Sequence, residues 1–260
     1  MTNKIHNTAI IGNNVLIGEN VSIGPYSVID EGVKIGNNNI IYPSVYMTGN
    51  TEIGEGNSFF PFCSIGSIPQ DLKYSGENSK LIIGNNNTFR EHSTANPGTL
   101  GDKMVTTIGN SSLFMAGAHI AHDCMIGDSV IMANQATLGG HVHVGDNAVL
   151  GGISAVHQFC KIGKMAMVGG LSAVENDVIP FGLALGNRAK LIGINIVGLK
   201  RANYNKEMIR EYVNIVDQIF TGKTIKSEID KINNNTNDLI KELLAFLKKD
   251  SSRGLCKYDK

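Results

Sequence analysis

The stretch IAHDCMIGDSVIMANQATLGGHVHV, residues 120–144, carries an apolar residue at every sixth position. The same period continues in both directions, in one frame from Ile5 to Ile65 and in a second from Ile108 to Val174, and every position of both frames is apolar. Six residues are too few for a helix pair or a propeller blade, but they suit one short strand and a turn of a parallel β-helix. The period therefore predicts a mainly β solenoid with one continuous core.

The residues after the apolar positions predict the corners of this solenoid. Glycine often stands there, as at Gly12 and Gly109, and asparagines cluster nearby, at Asn13, Asn37, Asn38, Asn85 and Asn86. Glycine lacks a Cβ and asparagine tolerates left-handed backbone angles, so both residue types suit tight turns. With three hexads in each triangular coil, residues about eighteen apart should stack on neighbouring coils about 4.8 Å apart.

Two segments break the period, at about 67–80 and 97–107. We predict that both are loops outside the prism, where binding groups tend to lie, although a solenoid also tolerates simple insertions at its corners. After Val174 the period is lost and helical spacing follows. We predict a β-helix domain over 1–190 and a C-terminal helical domain over 191–260. Three helices are expected in this C-terminal domain, one between the cap Asn205 and Gly222, one over Ile225–Ile232 and one over Leu239–Leu247. We expect them to cover the exposed strands of the last coil.

Composition excludes several classes of protein. Lys+Arg and Asp+Glu both number 23, which argues against a general binder of nucleic acid or of membrane surfaces. No apolar stretch approaches the roughly 18 residues of a membrane span, so we expect no integral membrane segment. The cysteines lie far apart without CxxC spacing, as in a cytoplasmic protein with reduced, buried thiols; they are Cys63, Cys124, Cys160 and Cys256.

Histidines mark the candidate chemistry. Five of the seven fall within residues 119–157, at positions 119, 122, 141, 143 and 157. The spacings from His122 to His141 and from His141 to His157 are close to one coil, which predicts a ladder along one edge. His122 precedes Asp123, whose carboxylate could orient the ring for proton transfer. We expect His122 to act as general base in direct acyl transfer, with a backbone amide near Gly140 holding the oxyanion.

Other interpretations remain open on these residues alone. Three imidazoles could bind zinc, or the histidines could simply be exposed polar groups at corners. Ser154 and Cys160 lie near His157, but neither has a motif typical of a covalent nucleophile. Because near-coil spacing within one chain does not guarantee that the histidines converge on one point, we expect neither a metal nor another cofactor.

Several motifs together resemble one family. They are AHIAHDC (118–124), GHV (140–142), AVHQFC (155–160), QDLKYSGE (70–77), GNRAKLIGINIVGLKR (186–201) and SSRGL (251–255). Over nearly the whole chain they are similar to the UDP-N-acetylglucosamine acyltransferases that begin lipid A synthesis. The resemblance implies a left-handed parallel β-helix and a homotrimer with active sites between subunits. It also implies transfer of a (3R)-3-hydroxyacyl group from acyl carrier protein to the 3-position of the sugar nucleotide.

The resemblance assigns roles to residues of this chain. His122 matches the general base, Asp123 its orienting carboxylate and Gly140 the oxyanion amide. Substrate contacts are implied in the first loop and along the cleft, at Gln70, Asp71, Lys73, His119, His141, His157 and Gln158. Asn195 and Arg201 match nucleotide contacts. Met167 and Gly170 match the region that measures acyl length, where glycine leaves room for a longer chain.

The chain also departs from the best-known members of that family. Asn96 and Pro97 stand where they carry His and Arg, and changes are also found at Arg188, Val197 and Ala202. These positions leave open the acyl length and whether the acceptor carries a 3-hydroxyl or a 3-amino group. The alternatives are the later N-acyltransferase of the same pathway, which usually has an additional N-terminal domain, a zinc enzyme resembling γ-type carbonic anhydrase, and a silent hexapeptide scaffold.

Overall fold

The computed structural model describes residues 2–232 and 236–259, and its main body is a left-handed parallel β-helix. Three sheets form the faces of the prism, and the chain contributes one short strand to each face in turn. The eleven-stranded sheet contains β1 (Lys4–Ile5), β4 (Ser22–Ile23), β7 (Ile40–Ile41), β10 (Ser58–Phe59), β13 (Thr88–Phe89), β16 (Leu113–Phe114), β19 (Ile131–Met132), β22 (Val149–Leu150), β25 (Met167–Val168), β27 (Gly182–Leu185) and β28 (Lys190–Ile194).

The other two faces repeat the arrangement. The nine-stranded sheet contains β2 (Ile10–Ile11), β5 (Val28–Ile29), β8 (Tyr46–Met47), β11 (Ser64–Ile65), β14 (Thr94–Ala95), β17 (His119–Ile120), β20 (Thr137–Leu138), β23 (Ala155–Val156) and β26 (Ala173–Val174). The eight-stranded sheet contains β3 (Leu16–Ile17), β6 (Lys34–Ile35), β9 (Asn50–Ile53), β12 (Lys80–Ile83), β15 (Val105–Ile108), β18 (Met125–Ile126), β21 (His143–Val144) and β24 (Lys161–Ile162).

The strand register confirms the predicted period. Ile120 pairs with Leu138, and Leu138 pairs with Val156 on the next coil. The two irregular segments lie between β11 and β12 and between β14 and β15, so Ser64 pairs with Thr94, and Thr94 with His119, across an insertion. The insertions therefore leave the coil without disturbing the alignment of the strands.

Side chains at the period positions form the core. Ile29, Ile65 and Leu138 are fully buried, and Phe59, Phe89 and Phe114 stack through the interior with ring centroids 5.0 and 4.6 Å apart. The first coil is the exception, since Ile5 is 43% exposed. It has a neighbouring coil on one side only, so its side chains are covered less completely.

The physical reason for the corner glycines differs from the one predicted. Gly12 does not have a left-handed backbone angle; instead, a Cβ on it would lie 2.7 Å from the backbone nitrogen of Glu31 on the next coil. Close stacking of coils thus requires glycine there. The left-handed residue comes two positions later, as at Asn14 (φ 61°).

Asparagine was correctly predicted to adopt left-handed angles at Asn38 and Asn86 (φ 59° and 58°), but not at Asn13, Asn37 or Asn85. The side chains of two of these link coils instead. Oδ1 of Asn37 accepts from the amide of Glu19, and Oδ1 of Asn85 accepts from the amide of Glu55, both at 2.7 Å.

The parallel winding ends where β27 pairs with antiparallel β28, and four helices follow among the described residues up to 259. They are α1 (Ile196–Arg201), α2 (Lys206–Thr221), α3 (Ile225–Ile229) and α4 (Asp238–Leu247). Helix α2 begins after the predicted cap Asn205 and ends before Gly222; α3 ends earlier than predicted, and α1 was not predicted. Tyr212 of α2 is buried and its hydroxyl donates to the carbonyl of Pro180, which fixes the helices against the last coils.

All four cysteines are free and buried. Among residues 2–232 and 236–259, no helix has the length and the apolar character that crossing a membrane requires.

Candidate active site

His122 and Asp123 form a buried pair in the turn between β17 and β18, where the chain passes from the nine-stranded to the eight-stranded sheet. His122 Nδ1 lies 2.9 Å from Asp123 Oδ2, and the two residues are 6% and 2% exposed. Asp123 has the left-handed φ of 57° that the corner requires. With the proton on Nδ1 donated to the carboxylate, Nε2 of His122 remains an acceptor for another proton.

The second inserted loop reaches the same carboxylate. The Thr99 amide lies 3.1 and 3.0 Å from the two oxygens of Asp123, and the Thr99 hydroxyl donates to Oδ2 at 2.7 Å. Thr99 was not among the predicted site residues. Its neighbourhood has no period, and only the folding of the loop brings it to Asp123.

Gly140 lies directly against the His122 ring. A Cβ on Gly140 would be 2.3 Å from His122 Cε1 and 2.5 Å from Nε2, far inside van der Waals contact. Gly139 N donates to Val156 and His141 N donates to His122, whereas the Gly140 amide has no acceptor within the described residues. A free N–H therefore lies beside the imidazole.

His141 is the second imidazole of the cluster. Its ring meets the His122 ring edge-on at 5.0 Å and stacks on Phe159 at 4.3 Å between centroids. Its Nδ1 lies 3.4 Å from Asp102 Oδ2 and 3.9 Å from Asp123 Oδ2. The second loop thus supplies a carboxylate to this histidine as well.

All three histidines of the predicted ladder lie on one edge of the prism, in the turns that lead from the nine-stranded to the eight-stranded sheet, but only His122 and His141 contact each other. His157 is exposed, and its Nδ1 lies 3.3 Å from the carbonyl oxygen of the adjacent Gln158. The coil register places Phe159, rather than His157, against His141. The spacing from His141 to His157 is short of a full coil, and this offset is enough to change the stacking partner.

The two remaining histidines of the group lie on different faces. His119, on β17, contacts the Thr94 hydroxyl through Nδ1 at 2.6 Å, and burial, followed by the nearby His122, lowers the pKa of His119. His143, on β21, lines a separate cavity of about 230 Å³ with Lys161 and Phe246. Burial also lowers the pKa of His143. Of these two, only His119 is close to the His122 and Asp123 pair.

The two inserted loops and the second imidazole enclose a cleft of about 160 Å³. Its lining consists of Asp71, Lys73, Glu77, Thr99, Leu100, Gly101, His141 and Phe159. Glu77 Oε1 accepts from the Leu100 amide at 3.1 Å, which joins the first loop to the second. Asp71 and Lys73 therefore share the cleft with His141, whereas Gln70 is exposed and does not line the cleft.

Four other predicted residues lie elsewhere on the prism. Asn195 caps α1, and its Nδ2 donates at 3.0 Å to the carbonyl of Met165, in the turn between β24 and β25. Arg201 is exposed at the end of α1. Met167 lies on β25 and Gly170 in the turn that follows it. Within the described part of one chain, no contact joins these four to His122.

The side chains of His122, Asp123 and His141 are close enough together to bind one metal ion. Ligand atoms of His122, Asp123 and His141 all lie within 4.8 Å of one another. However, both oxygens of Asp123 already accept hydrogen bonds from Thr99, and Nδ1 of His122 is directed to the same carboxylate. A zinc site needs at least three free protein ligands, so this arrangement suits acid–base chemistry better.

A left-handed hexapeptide β-helix with a buried histidine and carboxylate beside a free backbone amide is the arrangement expected of an acyltransferase of the hexapeptide-repeat class. A family model described as UDP N-acetylglucosamine O-acyltransferase, domain 2, matches residues 177–256, and one described as bacterial transferase hexapeptide matches residues 106–140. The C-terminal helical region and the middle coils of the β-helix therefore each match a separate family model.

Two related enzymes match this chain over nearly its full length. The acyl-(acyl-carrier-protein)–UDP-N-acetylglucosamine O-acyltransferase of Thermodesulfovibrio yellowstonii is 46% identical over 98% of this chain and 100% of its own. That of Aliarcobacter butzleri is 46% identical over 94% and 95%. The chain belongs to this family of enzymes.

Solved structures agree with that assignment. LpxA from Acinetobacter baumannii superposes with a TM-score of 0.94 at 41% identity, covering 97% of this chain and 99% of that one. UDP-N-acetylglucosamine O-acyltransferase from Moraxella catarrhalis also gives 0.94, at 38% identity over 98% and 100%. The predicted family and fold class are confirmed.

Proposed function

We propose that this enzyme transfers a (3R)-3-hydroxyacyl group from acyl carrier protein to the 3-position of UDP-N-acetylglucosamine, the first step of lipid A biosynthesis. The names of its relatives support the donor and the acceptor. The observation that carries the mechanism is the buried contact of 2.9 Å between His122 Nδ1 and Asp123 Oδ2. We assign His122 as the general base.

The proposed reaction is a direct transfer. The acceptor oxygen attacks the thioester carbonyl carbon while its proton passes to His122 Nε2. The resulting imidazolium is stabilised by the Asp123 carboxylate, and the oxyanion accepts a hydrogen bond from the free Gly140 amide. Collapse of the intermediate breaks the carbon–sulfur bond, and the departing thiolate takes the proton back from His122. No covalent enzyme intermediate is required.

The cleft between the loops supplies groups for the sugar nucleotide. Lys73 provides a cation for phosphate and Asp71 an acceptor for sugar hydroxyls, while His141 lies between them and His122. We assign His119, His157, Gln158 and Gln70 to the outer parts of the substrate path. Asn96 Oδ1, at the base of the loops, is buried without a partner among the described residues, and Asn96 does not line this cleft.

A homotrimer would bring the distant residues together. His122, Asn195 and Gly170 lie at three different corners of the prism, and no contact among the described residues of one chain joins them. Around a three-fold axis, however, different corners of neighbouring subunits meet. We propose that Asn195 and Arg201 bind the nucleotide from a second subunit, and that Met167 and Gly170 limit the acyl chain, favouring a long one. The free, buried thiols support a cytoplasmic location.

Mixed oligomers test the shared site. The His122→Ala and Arg201→Ala enzymes are each expected to be nearly inactive alone. Coexpressing differently tagged chains of both variants should restore part of the activity if the two residues act from different subunits. If both are needed in the same chain, mixtures should stay inactive. The mass of the purified assembly checks the trimer itself.

Mass analysis of products tests the reaction. The enzyme is offered UDP-N-acetylglucosamine, its 3-amino analogue and a series of 3-hydroxyacyl carrier proteins of different lengths. One acylated sugar nucleotide would establish the reaction, the acceptor group and the chain length together. The absence of product with every pair would contradict the proposal and favour a metal enzyme or a scaffold, which bound zinc would distinguish.

A further inference from the structure

We propose that Thr99 is a positioning residue for proton transfer, which acts by holding the Asp123 carboxylate where His122 needs it. The inference rests on the proposed role of His122 as base. Thr99 and Asp123 are 3% and 2% exposed, so their contact is sheltered from water. Hydrogen bonds to a charged group are stronger than those between neutral groups. Removing one from a buried carboxylate is costly, because the charge is left without a partner.

The hydrogen bonds on Asp123 identify Thr99 as its main partner. Oδ1 receives the Thr99 amide at 3.1 Å; Oδ2 receives the same amide at 3.0 Å and the Thr99 hydroxyl at 2.7 Å. Oδ2 is also the atom that His122 Nδ1 approaches at 2.9 Å. The hydroxyl therefore fixes the very oxygen that sets the orientation of the imidazole.

The residues on either side of Thr99 in the second loop hold it in this position. A Cβ on Gly98 would lie 2.1 Å from the backbone nitrogen of Val105 and 2.7 Å from Asp123 Oδ1, so only glycine allows this approach. On the other side of Thr99, the Leu100 amide is held by Glu77 of the first loop. The insertion is thus part of the catalytic arrangement, and the alternative of a merely tolerated insertion does not explain these contacts.

Paired substitutions test this role. Thr99→Val keeps the shape but removes the hydroxyl, and should lower kcat about 10-fold while the KM for the sugar nucleotide changes by no more than about 2-fold. Thr99→Ser keeps the hydroxyl and should restore kcat to within about 3-fold. If Thr99→Val does not fold, Thr99→Ala and Thr99→Ser form a second pair that differs in the hydroxyl alone. A serine variant as impaired as the alanine variant, at equal folded fraction, would overturn the proposal.

A double-mutant cycle separates positioning from loop integrity. In an Asp123→Asn enzyme, Thr99→Val should cost no more than about 2-fold, because its effect passes through the carboxylate. An equal loss in both backgrounds, or full kcat in Thr99→Val alone, would contradict the inference. His122→Ala is measured in parallel: if that variant is fully active the proposed base is wrong, whereas an inactive His122→Ala with an active Thr99→Val rejects only the role of Thr99.

Discussion

The backbone of Gly140 lies so close to the ring of His122 that no side chain fits between them. A Cβ on Gly140 would stand 2.3 Å from Cε1 and 2.5 Å from Nε2, the atom assigned to take the proton. The same residue carries an amide without an acceptor in the described structure. One glycine therefore leaves space for the base and offers a donor beside it.

Gly140→Ala should lower kcat at least about 10²-fold, because the added methyl displaces the imidazole from its reacting position. The matched control is Gly152→Ala, since a Cβ on Gly152 meets nothing closer than 3.4 Å. Initial rates and melting temperatures of both variants check the prediction. Normal activity of Gly140→Ala would show that the ring is not held against this backbone.

The period of six was sufficient to predict a β solenoid with one continuous core, because each hexad packs mainly on the hexads one coil away, whereas its left-handed winding was implied by the family resemblance. The site was harder to predict. His122 and Asp123 are neighbours in the sequence, so their contact could be expected. Thr99 reaches Asp123 and Asp102 reaches His141 from a loop with no period, and no local pattern indicates where such a loop will fold.

The alignment of successive coils determines which residue stacks on His141. His141 stacks on Phe159 because the turn residues of successive coils align, whereas His157 is offset by two positions. A spacing close to one coil predicts the same edge of the prism but not the same stack. The proposed roles of Asn195 and Arg201 were not derivable from the period either, since both residues follow the last parallel coils.

The core assignment predicts opposite outcomes at two adjacent positions. Ile126 is 4% exposed and Met125 is 38% exposed on the outer face. Ile126→Asp would place an unpaired charge in the prism and should lower the free energy of unfolding by more than about 3 kcal/mol. Met125→Asp should lower it by less than about 1 kcal/mol. Denaturant unfolding measures both, and a normal transition for Ile126→Asp would refute the assigned phase.

The acyl-length assignment predicts a change of selectivity. Gly170→Met fills space that the chain end is proposed to occupy, so the preferred donor should become shorter, while Leu171→Met, at a neighbouring side chain that is 72% exposed, should leave selectivity unchanged. Competition among 3-hydroxyacyl carrier proteins of different lengths provides the measurement. Identical preferences in Gly170→Met and the unaltered enzyme would place the end of the acyl chain elsewhere.

The cysteines should be unreactive in the native state. Burial raises the pKa of Cys63 and Cys256 to about 11 and that of Cys124 and Cys160 to about 12. At pH 8 only about 0.1% or less of each thiol is then the reactive thiolate, and the fraction grows as the pH rises. Iodoacetamide followed by mass analysis should find little labelling natively and four labels in guanidinium. Rapid native labelling at pH 8 would contradict the burial of these thiols.

The most direct test of the central claim is the single-turnover rate of acyl transfer by His122→Ala, compared with His143→Ala. His143 is half-buried, belongs to the eight-stranded face and lines another cavity. We expect His122→Ala to lose about 10² to 10⁴ in rate while keeping its fold, and His143→Ala to stay within about 3-fold of the unaltered enzyme. A folded His122→Ala enzyme with full activity would contradict the assignment of His122 as the base.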